Sequence, residues 1–237
     1  MFRTIKEKLN FSLKKGMPRH LAISVSGSEK WASKKGKTVE FGLGKSCDKI
    51  MELIEFQPKT QIPVITVYLY SSKITESPNF GIILDKIEKV FRKISENETI
   101  KKEKIKISVL GKWYDLPDRV VEPIKNVINE TRDYDSYFFN ICINYNGKEE
   151  IIDAIKILGR KISAGNLEPT SITEEDIKNN IYSSYFPPPE KIILTDGQKS
   201  PRGFLLWDSD NSEIYSIEKP WPEVTINDIK KIMKPHQ

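Results

Sequence analysis

Apolar runs alternate with amphipathic stretches along most of the chain. Runs rich in β-branched and aromatic residues, as found in buried strands, lie at residues 21–25, 64–70, 105–110, 137–143 and 191–195. Between these runs, apolar residues recur at helical spacing at residues 44–56, 80–94, 119–132 and 149–163. This alternation predicts an α/β fold in which one domain, residues 18–237, contains a central, mostly parallel sheet flanked by helices.

The last third of the chain departs from this alternation. Thr173 begins a capping box, and Thr225 is expected to cap a closing helix that reaches residue 233. Residues 204–207 and 213–217 are short apolar pieces. In the helix predicted at 149–163, four side chains are expected to face the core: Ile151, Ile152, Ile155 and Leu158.

The first 17 residues alternate basic and apolar side chains. They predict a short amphipathic helix and lack the continuous apolar core of a signal peptide. The apolar side of this helix suits packing on the core, which is the commoner role, or peripheral association with a membrane.

Composition narrows the class of protein. The chain has 38% hydrophobic and 30% charged residues, and no window reaches the roughly 18 apolar residues of a membrane span. Its net charge of +5 comes from dispersed lysines, without the basic and aromatic interleaving of nucleic-acid-binding proteins. Cys47 and Cys142 lack the spacing of a metal site or a disulfide framework. We therefore expect a cytoplasmic protein without a nucleic-acid partner.

The first predicted strand leads into the small-residue loop Ser26-Gly27-Ser28 and then into a helix. The carboxyl end of a parallel strand is where open α/β sheets bind ligands, and a helix N-terminus attracts phosphate. Any strand-to-helix turn also needs small residues, so the loop alone is equally consistent with a structural turn.

Several motifs resemble those of the cis-prenyltransferase family, the undecaprenyl diphosphate synthases and their relatives. The motifs follow one another along the chain in the same order as in that family. Residues 20–32 resemble the family's H-V-A-I-I-M-D-G-N-R-R-W-A, and residues 144–151 resemble N-Y-G-G-R-x-E-I. Residues 194–198 stand where the family has R-T-S-G-E. The segments 204–207, 212–215 and 221–222 are similar to F-L-L-W, S-E-L-Y and W-P. The resemblance spans residues 18 to 221.

The resemblance implies Mg²⁺-assisted ionisation of an allylic diphosphate, addition of isopentenyl diphosphate, and growth of the product in an apolar tunnel. Carboxylates would hold the cation and arginines would neutralise the diphosphates. It also implies that Gly27, Lys30, Ser71 and Arg202 contact diphosphate, and that Glu213 stands at the position of a metal ligand.

Most departures from the family motifs fall on charged or polar site positions. The metal-binding aspartate is replaced by Ser26, and the loop at residues 71–78 lacks the family's asparagine, tryptophan and arginine. Further site residues of the family are replaced by Ser28, Val39, Leu43, Leu194 and Ser200. Each lost charge-assisted hydrogen bond to a diphosphate is worth roughly 1.5–3 kcal/mol, so three losses weaken binding by about 10³- to 10⁶-fold. Arg202, Lys30, Lys199 and Asp196 could rebuild part of a diphosphate site with altered geometry, which leaves a changed reaction open. Mg²⁺ remains a possible cofactor, although the family's metal-binding aspartate is absent.

Two functions fit this pattern. One is a non-catalytic accessory subunit of a heteromeric cis-prenyltransferase, acting as a homodimer or as a heterodimer with a catalytic chain through residues 204–221. The alternative is a divergent prenyltransferase or terpene-synthase-like enzyme that acts on an allylic prenyl diphosphate. Active dimers of the family carry an R-x-G element near the C-terminus. Residues 232–237 contain no such element, so the resemblance implies that a partner chain would supply it.

Other conspicuous residues have ordinary structural interpretations. His20 is expected to be hydrogen-bonded in the interior, and Trp31, Trp207 and Trp221 to pack in the core or at an interface. An apolar stripe at Ile83, Ile87, Val90 and Phe91 is typical of ordinary core, and the resemblance offers a tunnel wall as its alternative role.

Overall fold

The computed structural model describes residues 17–233. A six-stranded sheet with the order β3-β4-β2-β1-β5-β6 runs through the molecule, and every neighbouring pair of strands is parallel. The strands are β1 His20–Ser24, β2 Val64–Tyr68, β3 Ile105–Leu110, β4 Tyr137–Cys142, β5 Lys191–Leu194 and β6 Glu213–Ser216. The predicted single-domain α/β fold is confirmed, and the apolar piece after residue 212 forms the sixth strand.

The helices follow the predicted periodicity with shifts of a few residues at their ends. They are α1 Ser28–Lys34, α2 Val39–Thr60, α3 Phe80–Ser95, α4 Glu98–Lys102, α5 Asp118–Glu130, α6 Gly147–Ser163, α7 Glu174–Lys178 and α8 Ile226–Met233. The two predicted threonine caps are present. Thr173 forms a capping box with Asp176, and the Asp228 backbone N–H donates to Thr225 Oγ1 at 3.2 Å.

One face of the sheet carries most of the apolar core. Helices α2, α3 and α5 cover this face, and their inward side chains are almost fully buried against alternate residues of the central strands. Ile50 and Leu53 of α2 and Phe91 of α3 have no exposed surface. Apolar burial on this scale is the main contribution to the stability of such a domain.

The other face is covered more thinly, by α6, α7 and the segments around residues 182–186 and 204–205. Leu158 of α6 is buried, as expected, but Ile152 and Ile155 are 49% and 54% exposed. The prediction that these two isoleucines face the core was wrong. Helix α6 carries apolar residues on more than one side, and the sheet covers only the side that includes Ala154 and Leu158.

A buried polar network crosses three central strands. His20 Nδ1 lies 2.6 Å from the Pro187 carbonyl and Nε2 lies 2.7 Å from Thr66 Oγ1, while Asn140 Nδ2 donates to the same hydroxyl at 3.0 Å. A carbonyl only accepts, so neutral His20 carries its proton on Nδ1. Burial lowers the pKa of His20 to about 4, and the imidazole is neutral at pH 7.

Two features bear on membranes and redox chemistry. Within residues 17–233, no helix combines the length and apolarity needed to cross a bilayer. Cys47 and Cys142 are both free and buried. The predicted amphipathic helix of the first 17 residues lies almost entirely outside the described part of the chain, which begins at Met17.

Candidate functional site

A polar cleft of about 380 Å³ lies at the carboxyl edge of the sheet, where β1 and β5 end side by side. Strand β2 pairs with one side of β1, and strand β5 pairs with the other side. Such a switch in strand order leaves a crevice where α/β proteins bind ligands. The cleft is lined by Ser26, Asp196, Gly197, Gln198, Lys199, Ser200 and Arg202.

Hydrogen bonds from Thr195 join the two strand ends beneath the cleft. The buried Thr195 hydroxyl donates to the Ser24 carbonyl at 2.9 Å and accepts from the Ser26 backbone N–H at 2.9 Å. Ser24 Oγ also donates to Gln198 Oε1 at 3.1 Å. The two loops that form the cleft are therefore held in a fixed relation to each other.

Asp196 packs directly against the backbone of Gly27. A Cβ atom on Gly27 would lie 2.6 Å from Asp196 Cγ and 2.8 Å from Oδ1, so only glycine fits there. Gly27 also has a φ of +85°, a conformation that costs other residues free energy. The Asp196 carboxyl group thus lies beside the residue that follows Ser26.

Arg202 is carried by a segment anchored on the thinly covered face. Arg202 and Gly203 both have positive φ angles, +50° and +89°. The Phe204 ring is fully buried and stacks on Tyr68 with 5.0 Å between centroids. The Gly203 carbonyl accepts from the Gly147 N–H at 3.1 Å, which ties the segment to the start of α6.

The structure brings two of the four predicted diphosphate-binding residues to this cleft. Arg202 lines the cleft, and Gly27 contacts Asp196, which also lines the cleft. Lys30 is exposed on α1, a helix of only seven residues, and is not among the described residues that line the cleft. Ser71 lies at the same sheet edge beyond β2, where it forms a β-bridge with Tyr145 of the β4 loop.

Glu213 lies at the other end of the sheet. It is the first residue of β6 and pairs in register with Lys191, the first residue of β5, whereas the cleft follows their carboxyl ends. Its carboxylate lies 3.1 Å from Lys191 Nζ and accepts from the Tyr215 hydroxyl at 2.5 Å. The structure therefore does not bring Glu213 together with Gly27 and Arg202 within one chain.

Residues that replace family site residues lie in different surroundings in this structure. Ser26 and Ser200 line the cleft. Leu194 has no exposed surface and packs with Ala22 and Phe204. An arginine at position 194 would place its charge among these apolar groups unless the loop rearranged.

The possible tunnel wall on α3 is filled by core packing. Ile87, Val90 and Phe91 have no exposed surface, and Ile83 retains 3%. A side chain without accessible surface borders no space that admits a water molecule. The three residues therefore line no open tunnel in this structure.

The described residues of the cleft do not by themselves supply a complete coordination shell for Mg²⁺. Mg²⁺ prefers several oxygen ligands in octahedral geometry. Within residues 17–233 no three His, Cys, Asp or Glu side chains lie close enough together to hold a metal ion, and Asp196 is the carboxylate that lines the cleft. We derive no reaction step through a metal.

The sequence motifs contain residues that line the cleft, but they did not predict the hydrogen bonds of Thr195 and Gln198 beside it. Thr195 lies in the R-T-S-G-E-like motif, yet its link to Ser24 and Ser26 depends on the pairing of β1 with β5. Gln198, which matches the glutamate of that motif, was not predicted as a site residue although it contacts Ser24. Strand pairing across about 170 residues is the missing information in both cases.

Relatives found by comparison with known proteins match nearly the whole length of this chain. A tritrans,polycis-undecaprenyl-diphosphate synthase (geranylgeranyl-diphosphate specific) of Picrophilus torridus is 32% identical, over 99% of this chain and 93% of the relative. An isoprenyl transferase of Prochlorococcus marinus is 33% identical, over 98% of this chain and 87% of the relative.

A similar solved structure is lavandulyl diphosphate synthase from Lavandula x intermedia in complex with dimethylallyl diphosphate. Its TM-score is 0.88 at 21% identity, covering 93% of this chain and 95% of that chain, which shows a shared fold. The model of the Prenyltransf family, undecaprenyl diphosphate synthase, matches residues 25–237. The strand order, the cleft at the end of β1 and the match over nearly the whole sequence have one explanation: this chain belongs to the cis-prenyltransferase family.

Proposed function

We propose that this chain is a non-catalytic accessory subunit of a heteromeric cis-prenyltransferase that makes polyprenyl diphosphate in the cytoplasm. The observation that carries the proposal is the charge of the cleft. Its lining contains one carboxylate, Asp196, and two cations, Lys199 and Arg202. Two diphosphates would bring several negative charges that these side chains cannot match.

A neighbouring carboxylate weakens the cleft further. The Glu218 carboxylate lies beside Gly197, because a Cβ on Gly197 would be 2.8 Å from Glu218 Oε2. The acidic groups next to the cleft thus offset its two cations. Binding of a prenyl diphosphate is expected to be weak and independent of Mg²⁺.

The closed core beneath α3 supports the same function. An elongating enzyme must accommodate a growing apolar chain, and the side chains at Ile87, Val90 and Phe91 leave no space beside them. A chain that supports a catalytic partner needs no such space.

The partner surface is proposed on the thinly covered face and the open edge of the sheet. Large apolar side chains exposed there include Ile152 and Ile155 of α6, Leu206, and Ile214 of the edge strand β6. Exposed apolar groups of this kind are typical of subunit interfaces. Phe204 and Trp221, at the ends of the predicted interface segment, are buried in the chain's own core. The surface fits a second copy or a catalytic homologue.

One observation favours the alternative, a divergent enzyme acting on an allylic diphosphate. The family's aspartate is absent at Ser26, but Asp196 places a carboxylate next to Gly27 from the neighbouring strand. An enzyme with an altered site would depend on this carboxylate.

Reconstitution distinguishes the two functions. The chain should co-purify with a catalytic homologue from its native source and raise that homologue's polyprenyl diphosphate synthesis, and Asp196→Asn should leave this stimulation unchanged. The divergent enzyme predicts turnover of an allylic diphosphate by the chain alone, lost in Asp196→Asn. Absence of both stimulation and complex formation with the homologue contradicts the accessory role.

A further inference from the structure

Positive charge is concentrated in one short stretch of the chain. Residues 30–45 hold one acidic side chain, Glu40, and five lysines, all of them exposed: Lys30, Lys34, Lys35, Lys37 and Lys45. The net charge of this stretch is +4, which leaves +1 of the chain's +5 for all other residues. The stretch includes most of α1, the turn after it and the first turns of α2.

An exposed aromatic pair lies among these lysines. The rings of Trp31 and Phe41 stack with 5.9 Å between their centroids, and Phe41 remains 40% exposed. The ammonium groups of Lys37 and Lys45 lie 5.9 and 5.8 Å from the centre of the Phe41 ring. Lys34 follows Trp31 by three residues on α1, so the two side chains are neighbours on the helix surface. These five residues form what we call the α1–α2 patch.

The carboxylates around the patch are engaged by other groups. Glu223 lies 3.3 Å from Lys35 Nζ and accepts from Trp31 Nε1 at 2.8 Å. Glu40 lies 2.7 Å from Nζ of Lys86 on α3. Glu29 accepts from Asn79 Nδ2 at 3.1 Å. Within residues 17–233, the three lysines of the patch form no ion pair, so their charge is available to a ligand.

We propose that the α1–α2 patch binds the surface of a membrane that contains anionic lipids. Lys34, Lys37 and Lys45 attract the anionic headgroups, and Phe41 enters the headgroup region, where aromatic side chains are favoured. A small apolar anchor combined with several basic side chains gives reversible peripheral binding. The proposal depends on neither a partner chain nor turnover of a diphosphate.

The aromatic pair favours a membrane over a nucleic acid. Proteins that bind single-stranded nucleic acid use aromatic faces that are free to stack on bases. The Phe41 ring is already stacked on Trp31 and has two ammonium groups over it. A bilayer surface needs no free ring face, because it accommodates the side chain by its apolar character.

Flotation of the full-length chain with lipid vesicles tests the proposal. At about 50 mM salt, vesicles with roughly one third phosphatidylglycerol should bind the chain at least about tenfold more strongly than pure phosphatidylcholine vesicles. About 0.5 M salt should remove most of this difference, because the lysines are exposed.

Variants of the patch locate the contact. Lys37→Gln combined with Lys45→Gln should weaken binding to the anionic vesicles about tenfold or more, since each lysine near such a surface contributes roughly fivefold. Phe41→Ser should also weaken binding, and Phe41→Trp should retain it. Lys156→Gln combined with Lys161→Gln is the matched control. It removes the same charge from exposed positions on α6, across the sheet from α2, and should change binding less than about twofold.

Three results would overturn the proposal. The first is equal binding to both kinds of vesicle, or binding to neither. The second is binding that survives the Lys37 and Lys45 changes, because the membrane contact would then lie elsewhere on the chain. The third is loss of oligouridylate binding in that variant with vesicle binding unchanged, which would assign the patch to nucleic acid.

Discussion

The Asp196 carboxyl group rests on the α-carbon of Gly27, so close that a methyl group there would lie 2.6 Å from Asp196 Cγ. These residues belong to the loops after β5 and β1, neighbouring parallel strands that are far apart in sequence. In the family motifs the carboxylate precedes this glycine, at the position of Ser26. Here the acidic group reaches the glycine from the adjacent strand, which changes the direction from which it faces any ligand.

Gly27→Ala should destabilise the fold by more than the cost of its backbone conformation alone. Gly36 is the matched control: its φ is +63°, and its added Cβ would meet nothing within 4 Å. We expect Gly36→Ala to cost about 1 kcal/mol in the free energy of unfolding, and Gly27→Ala about 1–2 kcal/mol more. Urea denaturation of each variant measures the difference. In an Asp196→Gly background, which also removes the Asp196 Cβ at 2.9 Å, the excess should vanish, and its persistence would place the contact elsewhere.

Pyrophosphate should bind the cleft weakly and without Mg²⁺, with a dissociation constant in roughly the high micromolar to millimolar range. Arg202→Ala should weaken binding about tenfold or more, since a charge-assisted hydrogen bond is lost. Lys30→Ala should change it less than about twofold, because Lys30 lies outside the cleft lining among the described residues. Titration calorimetry reports both constants. Tight binding that requires Mg²⁺, or loss of binding in Lys30→Ala alone, would show a different site.

Stability should fall with acid because His20 is buried in its neutral form. Its pKa is about 4 in the folded chain against 6.5 for an ordinary histidine, so unfolded chains bind a proton that folded chains do not between these values. The contribution is therefore fully present above pH 6.5 and decreases as the pH falls towards 4, by about 3 kcal/mol in all.

Urea midpoints of the wild type and of His20→Gln between pH 4 and 7.5 isolate this effect from carboxylate titration. The free energy of unfolding of the wild type should rise more steeply with pH, by up to about 1.4 kcal/mol per pH unit near pH 5. Identical slopes in the two proteins would mean that His20 is protonated or exposed in the folded state.

Self-association or pairing with a catalytic homologue should depend on the exposed stripe of α6. Ile155→Asp is expected to weaken the complex by at least about tenfold, because it places a charge in an apolar contact. Phe41→Asp is a control at another exposed apolar position, 40% accessible and near the start of α2. Sedimentation velocity of the chain alone and in mixture with the homologue measures both. If both variants associate like the wild type, the interface lies away from α6.

Local sequence patterns were sufficient to predict most of the strands and helices of the fold. The runs that became β3 and β4 and the stripe of α3 lie within one or two residues of their predicted bounds, because side-chain periodicity directly reflects strand and helix geometry. The same periodicity does not say what covers an apolar stripe. Ile87 of α3 is fully buried and Ile155 of α6 is more than half exposed, although both belong to regular apolar patterns.

The candidate site was predictable only where a motif itself carries the residue. Gly27 and Arg202 were found in this way, and both are at the cleft. Lys30 was expected there as well, but it is exposed on α1 and is not among the described residues that line the cleft. The contacts of Asp196 with Gly27 and of Thr195 with Ser24 depend on which strands pair, which no local pattern contains.

Incorporation of labelled isopentenyl diphosphate tests the central claim most directly. The purified full-length chain is incubated with farnesyl diphosphate, isopentenyl diphosphate and Mg²⁺, beside an active family member as the positive control. Because the cleft lining offers one carboxylate and two cations, the account predicts less than about one thousandth of the control's product. Polyprenyl product formed by this chain alone at the rate of the control would contradict it.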